Sequence, residues 1–197
     1  MKTRTTVESL PWAVGKSIER TSKIQIGDRE IILYLTGCEC LVMGTTDRDS
    51  RVISLSGPPI GGISDILSSP LREVVMSTTE TVDERTILTS CVLRLETTNG
   101  SVLFPWAGND FDPHGERVYT TPIRRGVVPI LPDGTELQRG DRIEYSDPFN
   151  MRLVRMGVIE DIDYAGKLSI LFDSTNITAA YSFRILERVR KVAKEVK

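Results

Sequence analysis

The sequence predicts a mainly all-β protein built from two strand-rich domains. Two observations carry this prediction. Short stretches in which apolar and polar residues alternate recur along the 197 residues, and Gly, Asn, Asp and Pro cluster between them. This pattern is typical of strands joined by tight turns. The hydrophobic content of 40% is enough for a globular core. We therefore predict a β-sandwich or rolled sheet, followed by a small barrel.

The central element is a hairpin over residues 92–106, which read VLRLETTNGSVLFPW. Asn99-Gly100 is a strong signal for a type I′ turn, because both central positions of that turn need a positive φ. If these two residues form the whole loop, Leu95 faces Phe104 on the neighbouring strand. One face of the hairpin is then wholly apolar. Its members are Leu93, Leu95, Val102, Phe104 and Trp106.

Turn signals divide the rest of the chain into segments. Residues 1–22 form a polar N-terminal arm; Trp12 is its candidate anchor on the body of the protein, and an arm that orders only on a partner is the alternative. Residues 23–122 form the first β-rich domain, which begins with a strand at 23–26 and contains one helical turn at 63–67. Residues 122–126 are a linker, and 190–197 are a basic tail.

Residues 127–189 form the second domain. Five short strands within about sixty residues predict a small barrel. Gly157 lies in the middle of a strand, where we expect a bend or a bulge. Near the end of the chain, apolar residues recur at helix-like spacing and predict a short C-terminal helix over 185–197. These residues are Ile185, Val189, Val192 and Val196.

The second domain resembles SH3-like barrels of the Tudor and KOW kind. The resemblance depends on the polar Gly140-Asp141 before a strand, the long strand around Gly157, and the strands at 168–172 and 183–186. It implies a module that binds peptides, nucleic acid or neighbouring protein chains. Some such barrels hold methylated side chains in an aromatic cage. The candidate aromatic contacts are Tyr145, Phe149, Tyr164 and Tyr181, and packing inside the barrel is the alternative.

The first domain resembles an uncharacterised family of phage-encoded β-rich domains over residues 25–120. The shared features are the cysteine-containing strand at 37–40, the segment 62–71, and the hairpin segments 99–102 and 106–109. The chain departs from the family in the loop after Trp106 and in the spacing of Cys38 and Cys40. The resemblance implies a phage or prophage setting and no particular chemistry.

Charge and cysteine content narrow the setting. The formal net charge is −2, from 25 basic and 27 acidic residues, so no global attraction to nucleic acid or an anionic membrane is expected. No apolar stretch approaches the roughly 20 residues of a membrane span. Three cysteines, an odd number, favour a reducing cytoplasm. We expect a cytoplasmic protein, in the host cytoplasm if it is phage-encoded.

Two groups of residues have the chemistry of a metal site. Cys38, Cys40, Cys91 and His114 are residue types that bind zinc. Cysteines packed in the core are the favoured alternative, because Cys38 and Cys40 on the same face of one straight strand are poorly placed to hold one metal ion. Asp110, Asp112, His114 and Glu116 form an alternating polar set in one loop. Its carboxylate oxygens suit Ca²⁺ or Mg²⁺, but Asp and Asn residues also favour turns without metal. We predict no cofactor and no catalytic residue.

The function that these observations favour is non-enzymatic binding, as an adaptor that engages a host or phage macromolecule. Balanced charge favours a protein over nucleic acid as the partner. Two alternatives stay open: a virion structural or accessory component that forms a homo-oligomer, and a metal-dependent enzyme that uses the loop 110–116. The oligomeric state is left open. The predicted basic contacts are Arg124, Arg125, Arg152, Arg155, Arg188, Arg190 and Lys191.

Overall fold

A computed structural model of the protein describes residues 2–44, 52–83, 86–111, 123–147 and 153–192. These residues form three antiparallel sheets, which confirms the all-β class. The chain divides into two compact units, Met1–Gly37 with Leu41–Arg124 and Cys38–Cys40 with Arg125–Lys197.

Most of the described strands and helices have three to six residues. A four-residue helix, α1 (Ile63–Ile66), confirms the helical turn predicted at 63–67. Two 3-10 helices lie at Pro11–Ala13 and Phe183–Arg188. The strands are β1 (Lys2–Ser9), β2 (Ile18–Thr21), β3 (Glu30–Leu35), β4 (Glu39–Gly44), β5 (Val52–Leu55), β6 (Leu71–Asp83), β7 (Thr86–Thr97), β8 (Ser101–Phe111), β9 (Ile123–Val127), β10 (Arg142–Ser146), β11 (Val154–Asp163), β12 (Lys167–Phe172), β13 (Ile177–Ser182) and β14 (Val189–Lys191). The longer strands are β1, β6, β7, β8 and β11.

The predicted apolar hairpin face is present, but its register differs from the prediction by two residues. In the hairpin of β7 and β8, Leu95 pairs with Val102 and Leu93 pairs with Phe104. Because side chains alternate with period two, a shift of two leaves every residue on its predicted face. All five members of that face are buried, namely Leu93, Leu95, Val102, Phe104 and Trp106.

The predicted type I′ turn is wrong. Neither Asn99 nor Gly100 has a positive φ, and four residues, Thr97 to Gly100, separate the last paired residues of β7 and β8, Glu96 and Ser101. The Thr97 N–H donates to the Gly100 carbonyl at 2.9 Å, and the Thr97 hydroxyl accepts from the Asn99 N–H at 3.1 Å. These hydrogen bonds stabilise a turn that needs no residue with positive φ, because a threonine side chain can take the place of a backbone partner in a turn.

The first unit holds one five-stranded sheet and most of a four-stranded sheet, with one core. The five-stranded sheet has the order β1-β6-β7-β8-β5, and a four-stranded sheet has the order β2-β3-β4-β9. Apolar residues of both sheets belong to a single buried cluster, in which Leu33 of β3 and Met43 of β4 join Phe104 of β8. This is the layered arrangement that the predicted sandwich describes.

Three predicted segments of the first unit have a different structure. The arm at 1–22 contributes β1 and β2, and β2 rather than the segment 23–26 pairs with β3. The linker predicted at 122–126 instead contains β9, which starts at Ile123, because Ile123 is buried in the core cluster.

The sheet of the second unit has the order β13-β12-β11-β10-β14. Strands β10 to β13 follow one another as a meander, and β14 returns after a 3-10 helix to pair with β10. The C-terminal helix predicted over 185–197 is present only to Arg188, as a 3-10 helix, and the prediction is wrong from Val189 to the last described residue, Val192. The helical turn ends at Arg188, and Val189 continues as a strand opposite Tyr145. Residues 193–197 lie outside the described residues.

The second sheet is strongly curled. Strands β10 and β13 are three strand positions apart, which is about 14 Å in a flat sheet. Nevertheless, the ring centroids of Tyr145 and Tyr181 on these strands are 5.3 Å apart. The sheet therefore folds toward its own inner face. Within the described residues β13 and β14 do not pair with each other, so the predicted small barrel is a curled open sheet without closure.

Gly157 permits close packing in this sheet, and the bulge lies further along. A Cβ at Gly157 would be 2.8 Å from the Leu171 carbonyl oxygen and 3.3 Å from a ring carbon of Phe172. The register shift of β11 against β12 lies between Ile159 and Asp161. The glycine is therefore explained by the approach of β12 rather than by the predicted bend.

We predict that Phe104→Ala destabilises the protein by about 3–5 kcal/mol, because it opens a cavity in a fully buried face. The control is Arg94→Ala, which removes an exposed ion pair with Glu73 and should cost less than about 1 kcal/mol. Urea unfolding of both variants measures the difference. Equal losses in the two variants would contradict the assignment of this face to the core.

Candidate functional site

Three aromatic rings meet inside the curl of the second unit. Tyr145 and Phe172 are buried, with 4% and 2% of their surface exposed, and Tyr181 is half-buried. The centroid distances are 5.3 Å from Tyr145 to Tyr181, 5.8 Å from Tyr145 to Phe172, and 6.1 Å from Phe172 to Tyr181. These are distances of packed aromatic pairs. We call these three residues the aromatic cluster.

The strands position each ring of the aromatic cluster. Tyr145 lies in β10 between Arg155 of β11 and Val189 of β14. Phe172, the last residue of β12, is paired with Gly157 and fills the space that the absent Cβ leaves. Tyr181 lies near the end of β13, and the curl brings it to the other two rings.

Charged residues surround the aromatic cluster. The guanidinium carbon of Arg155 lies 5.8 Å from the Phe172 ring centroid, and its Nη2 donates to Asp147 at 3.3 Å. Burial raises the pKa of the Tyr145 hydroxyl, and the charges of Tyr181 and Asp147 raise it further, whereas Arg188 and Arg155 act in the opposite direction. The cluster thus combines tyrosine and arginine side chains, the residue types enriched at protein interfaces.

The other predicted basic contacts are spread over both units. Arg124 pairs with Glu30 at 2.9 Å in the first unit. In the second unit Arg125 pairs with Glu39, and the Lys191 ammonium lies 2.7 Å from Asp141. Acidic neighbours therefore offset most of the predicted basic charge. Arg188 and Arg190 are exposed, and Arg152 lies outside the described residues.

The predicted aromatic contacts do not all come together. Tyr145 and Tyr181 do, and they are joined by Phe172, which the sequence pattern placed in a strand but did not single out as an aromatic contact. Tyr164 is buried elsewhere in the second unit, and its carbonyl accepts from the Val127 N–H at 2.8 Å. Phe149 lies outside the described residues. Trp12 packs half-buried against the core of the first unit, with the Lys16 ammonium 5.8 Å from its ring centroid.

The candidate metal ligands are mostly outside the described residues or apart from one another. Asp110 belongs to β8, and Asp112, His114 and Glu116 lie outside the description. Cys38 is exposed in a turn with φ 61°, so the prediction that it shares a strand face with buried Cys40 is wrong. Cys91 is buried in β7. The described part of the chain contains no group of three metal-ligating side chains.

A second feature of this unit is an open cleft of about 520 Å³. Buried Asp141 lines this cleft, accepts the Gln138 N–H at 2.8 Å and pairs with Lys191. Arg142, also at the cleft, forms an ion pair with Asp173. The cleft therefore has balanced charge. Its lining residues are Asp133, Thr135, Gln138, Asp141, Arg142, Lys191 and Val192.

Comparisons with protein-family models, with curated proteins and with solved structures found no match. Among the residues described, no helix has the length and apolar character needed to cross a membrane.

We predict that Tyr145→Phe changes how stability depends on alkaline pH. The folded-state pKa of Tyr145 lies above the ordinary value of 10.0, so the unfolded chain ionises first. The un-ionised Tyr145 hydroxyl therefore makes a contribution to stability that is fully present below pH 10.0 and is lost as the pH rises through the folded-state pKa. The variant lacks this loss, so its urea midpoint should fall less steeply above pH 10.0 than the wild-type midpoint. Parallel curves would contradict the burial of the hydroxyl.

We also predict that Asp141→Ala costs about 1–3 kcal/mol, because it leaves the Gln138 N–H and the Lys191 ammonium without their acceptor. The matched control is Asp161→Ala, which removes an exposed pair with Arg139 and should cost less than about 1 kcal/mol. Thermal unfolding of the two variants tests this difference. A smaller loss for Asp141→Ala than for the control would show that the buried carboxylate does not stabilise the cleft.

Proposed function

We propose that the protein is a non-enzymatic binding or adaptor protein of a phage or prophage, acting in the host cytoplasm, and that its second unit engages a protein partner. The observation that supports this most is the half-buried Tyr181 ring, which rests on the buried rings of Tyr145 and Phe172. A ring held in this way loses little conformational freedom on binding, as interface anchors require.

The charges favour a protein partner over nucleic acid. Binding to nucleic acid depends on basic side chains that neutralise phosphates. Of the predicted basic residues, Arg124, Arg125, Arg155 and Lys191 already pair with carboxylates. The second unit is therefore better matched by a protein partner than by nucleic acid. Such a partner would carry charges of both signs and an apolar position that contacts Tyr181.

The proposal treats the second unit as an SH3-like module. The order of its elements supports this reading: a strand after Gly140-Asp141, a long irregular strand, two further strands and a returning last strand. The rings of the aromatic cluster contact one another directly, which leaves no space for a methylated side chain between them. We therefore place the partner against the exposed part of the Tyr181 ring rather than between the three rings.

The second candidate function is a virion structural or accessory component that forms a homo-oligomer. The observation that favours it is β1, an eight-residue edge strand whose residues are all exposed. The enzymatic alternative depends on the loop 110–116, most of which lies outside the described residues.

Capture from host lysate tests the proposed function. The full chain, Tyr181→Ala and the control Ile177→Ala are immobilised, and bound proteins are quantified by mass spectrometry. Ile177 lies in the same strand and is 62% exposed, but it is not part of the aromatic cluster. We expect one protein to be retained by wild type and control and lost by Tyr181→Ala, with affinity for the purified partner reduced roughly thirtyfold, as for a hot-spot residue.

Two results would contradict the proposal. One is recovery of the same proteins by all three immobilised chains. The other is binding to duplex DNA or RNA that weakens with salt and with the double variant Arg188→Ala/Arg190→Ala, since this would identify nucleic acid as the ligand.

A further inference from the structure

The five-stranded sheet of the first unit has two edges that differ in their protection. At one edge, Leu55 of β5 is covered by a loop: its N–H donates to the Asp28 carbonyl at 2.9 Å, and its carbonyl accepts from the Gly27 N–H at 2.8 Å. At the other edge, all eight residues of β1 are exposed, and β1 pairs with β6 in register without a bulge. A long regular edge of this kind is a template for another strand.

The hydrogen bonds to β6 show which backbone groups of β1 point outward. The Leu10 N–H donates to the Val74 carbonyl at 2.9 Å, in the same register as the β1–β6 pairs. In an antiparallel ladder, hydrogen-bonded pairs alternate with non-hydrogen-bonded pairs. The even-numbered residues of β1 therefore bond to β6, and the odd-numbered residues direct their N–H and carbonyl groups away from the sheet. These are Thr3, Thr5, Val7 and Ser9.

We propose that β1 pairs antiparallel with β1 of a second copy of this chain, about a two-fold axis at Thr5, so that two five-stranded sheets become one. The outward backbone groups of Thr5 then meet those of Thr5 in the second copy, and Thr3 meets Val7. This arrangement matches odd residues with odd residues, as an antiparallel ladder requires.

Charge complementarity makes the second copy the fitting occupant. The strand reads KTRTTVES, and pairing about Thr5 sets Lys2 opposite Glu8 of the second copy at both ends. Pairing about Arg4 would set Arg4 against itself, which is unfavourable. Arg4 already lies opposite Glu80 of β6 within its own sheet. The charges of β1 thus complement those of this strand itself, whereas edge charges disfavour pairing with strands that do not match them.

Analytical ultracentrifugation of the full chain tests the dimer. We expect the wild type to approach twice its mass of 22.0 kDa as concentration rises, and Thr5→Pro to stay monomeric. Proline at position 5 removes an outward N–H and leaves the bonds to β6 intact. The control Thr5→Ala loses the hydroxyl contact with Thr79 at 3.2 Å but keeps the N–H, and it should dimerise as the wild type does.

Charge exchange tests the register and does not depend on proline. Lys2→Glu places like charges opposite each other and should weaken the dimer about tenfold, and Lys2→Glu/Glu8→Lys should restore it. A monomeric wild type at all concentrations would overturn the proposal, as would a dimeric Thr5→Pro with wild-type circular dichroism. If Thr5→Pro unfolds, the charge variants decide. A Lys2→Glu/Glu8→Lys variant that does not recover the dimer would overturn the proposed register. This inference concerns the first unit and stands apart from the proposed partner site.

Discussion

The first unit depends on the alternation of side chains along β7 and β8. Each second residue of this hairpin points into the core, so Leu93, Phe104 and Trp106 are covered while Arg94 stays exposed. β7 lies at the centre of its sheet, so its face also fixes the register of both neighbouring strands. A slip of one residue would reverse both faces, whereas a slip of two changes only the loop. The core therefore constrains the faces more strongly than the turn does.

This difference explains which parts of the fold the sequence predicts. The apolar face is a local pattern, so alternation identifies it correctly. The conformation of the 97–100 loop also depends on a residue that is distant in the sequence. The side-chain amide of Asn99 donates to the hydroxyl of buried Ser69 at 2.5 Å, thirty residues away. The prediction of a C-terminal helix is wrong beyond Arg188 for the same reason. Val189 fits a helical stripe by spacing, but its pairing with Tyr145 across the sheet decides its conformation, and tertiary pairing overrides a weak helical preference.

The candidate site was predictable only in part. Tyr145 and Tyr181 stand out as aromatic residues in a short-stranded domain, but Phe172 ends an alternating strand and has no local feature that separates it from other core residues. The three rings meet because the sheet curls, and curling depends on packing that no short stretch encodes. The basic residues show the same limit, since the sequence gives their charge but not their acidic partners. Arg124 and Glu30, for example, are separated by 94 positions.

Native-state hydrogen exchange tests most directly whether the hairpin face holds the first unit together. We expect the amides of Leu93, Leu95 and Phe104 to exchange most slowly and only through global unfolding of the unit, because they lie at the centre of the sheet. The amides of β1, at the edge, should exchange through smaller local openings. Exchange of the β7 and β8 amides as fast as those of β1, while the unit remains folded, would show that the hairpin face does not hold the unit together.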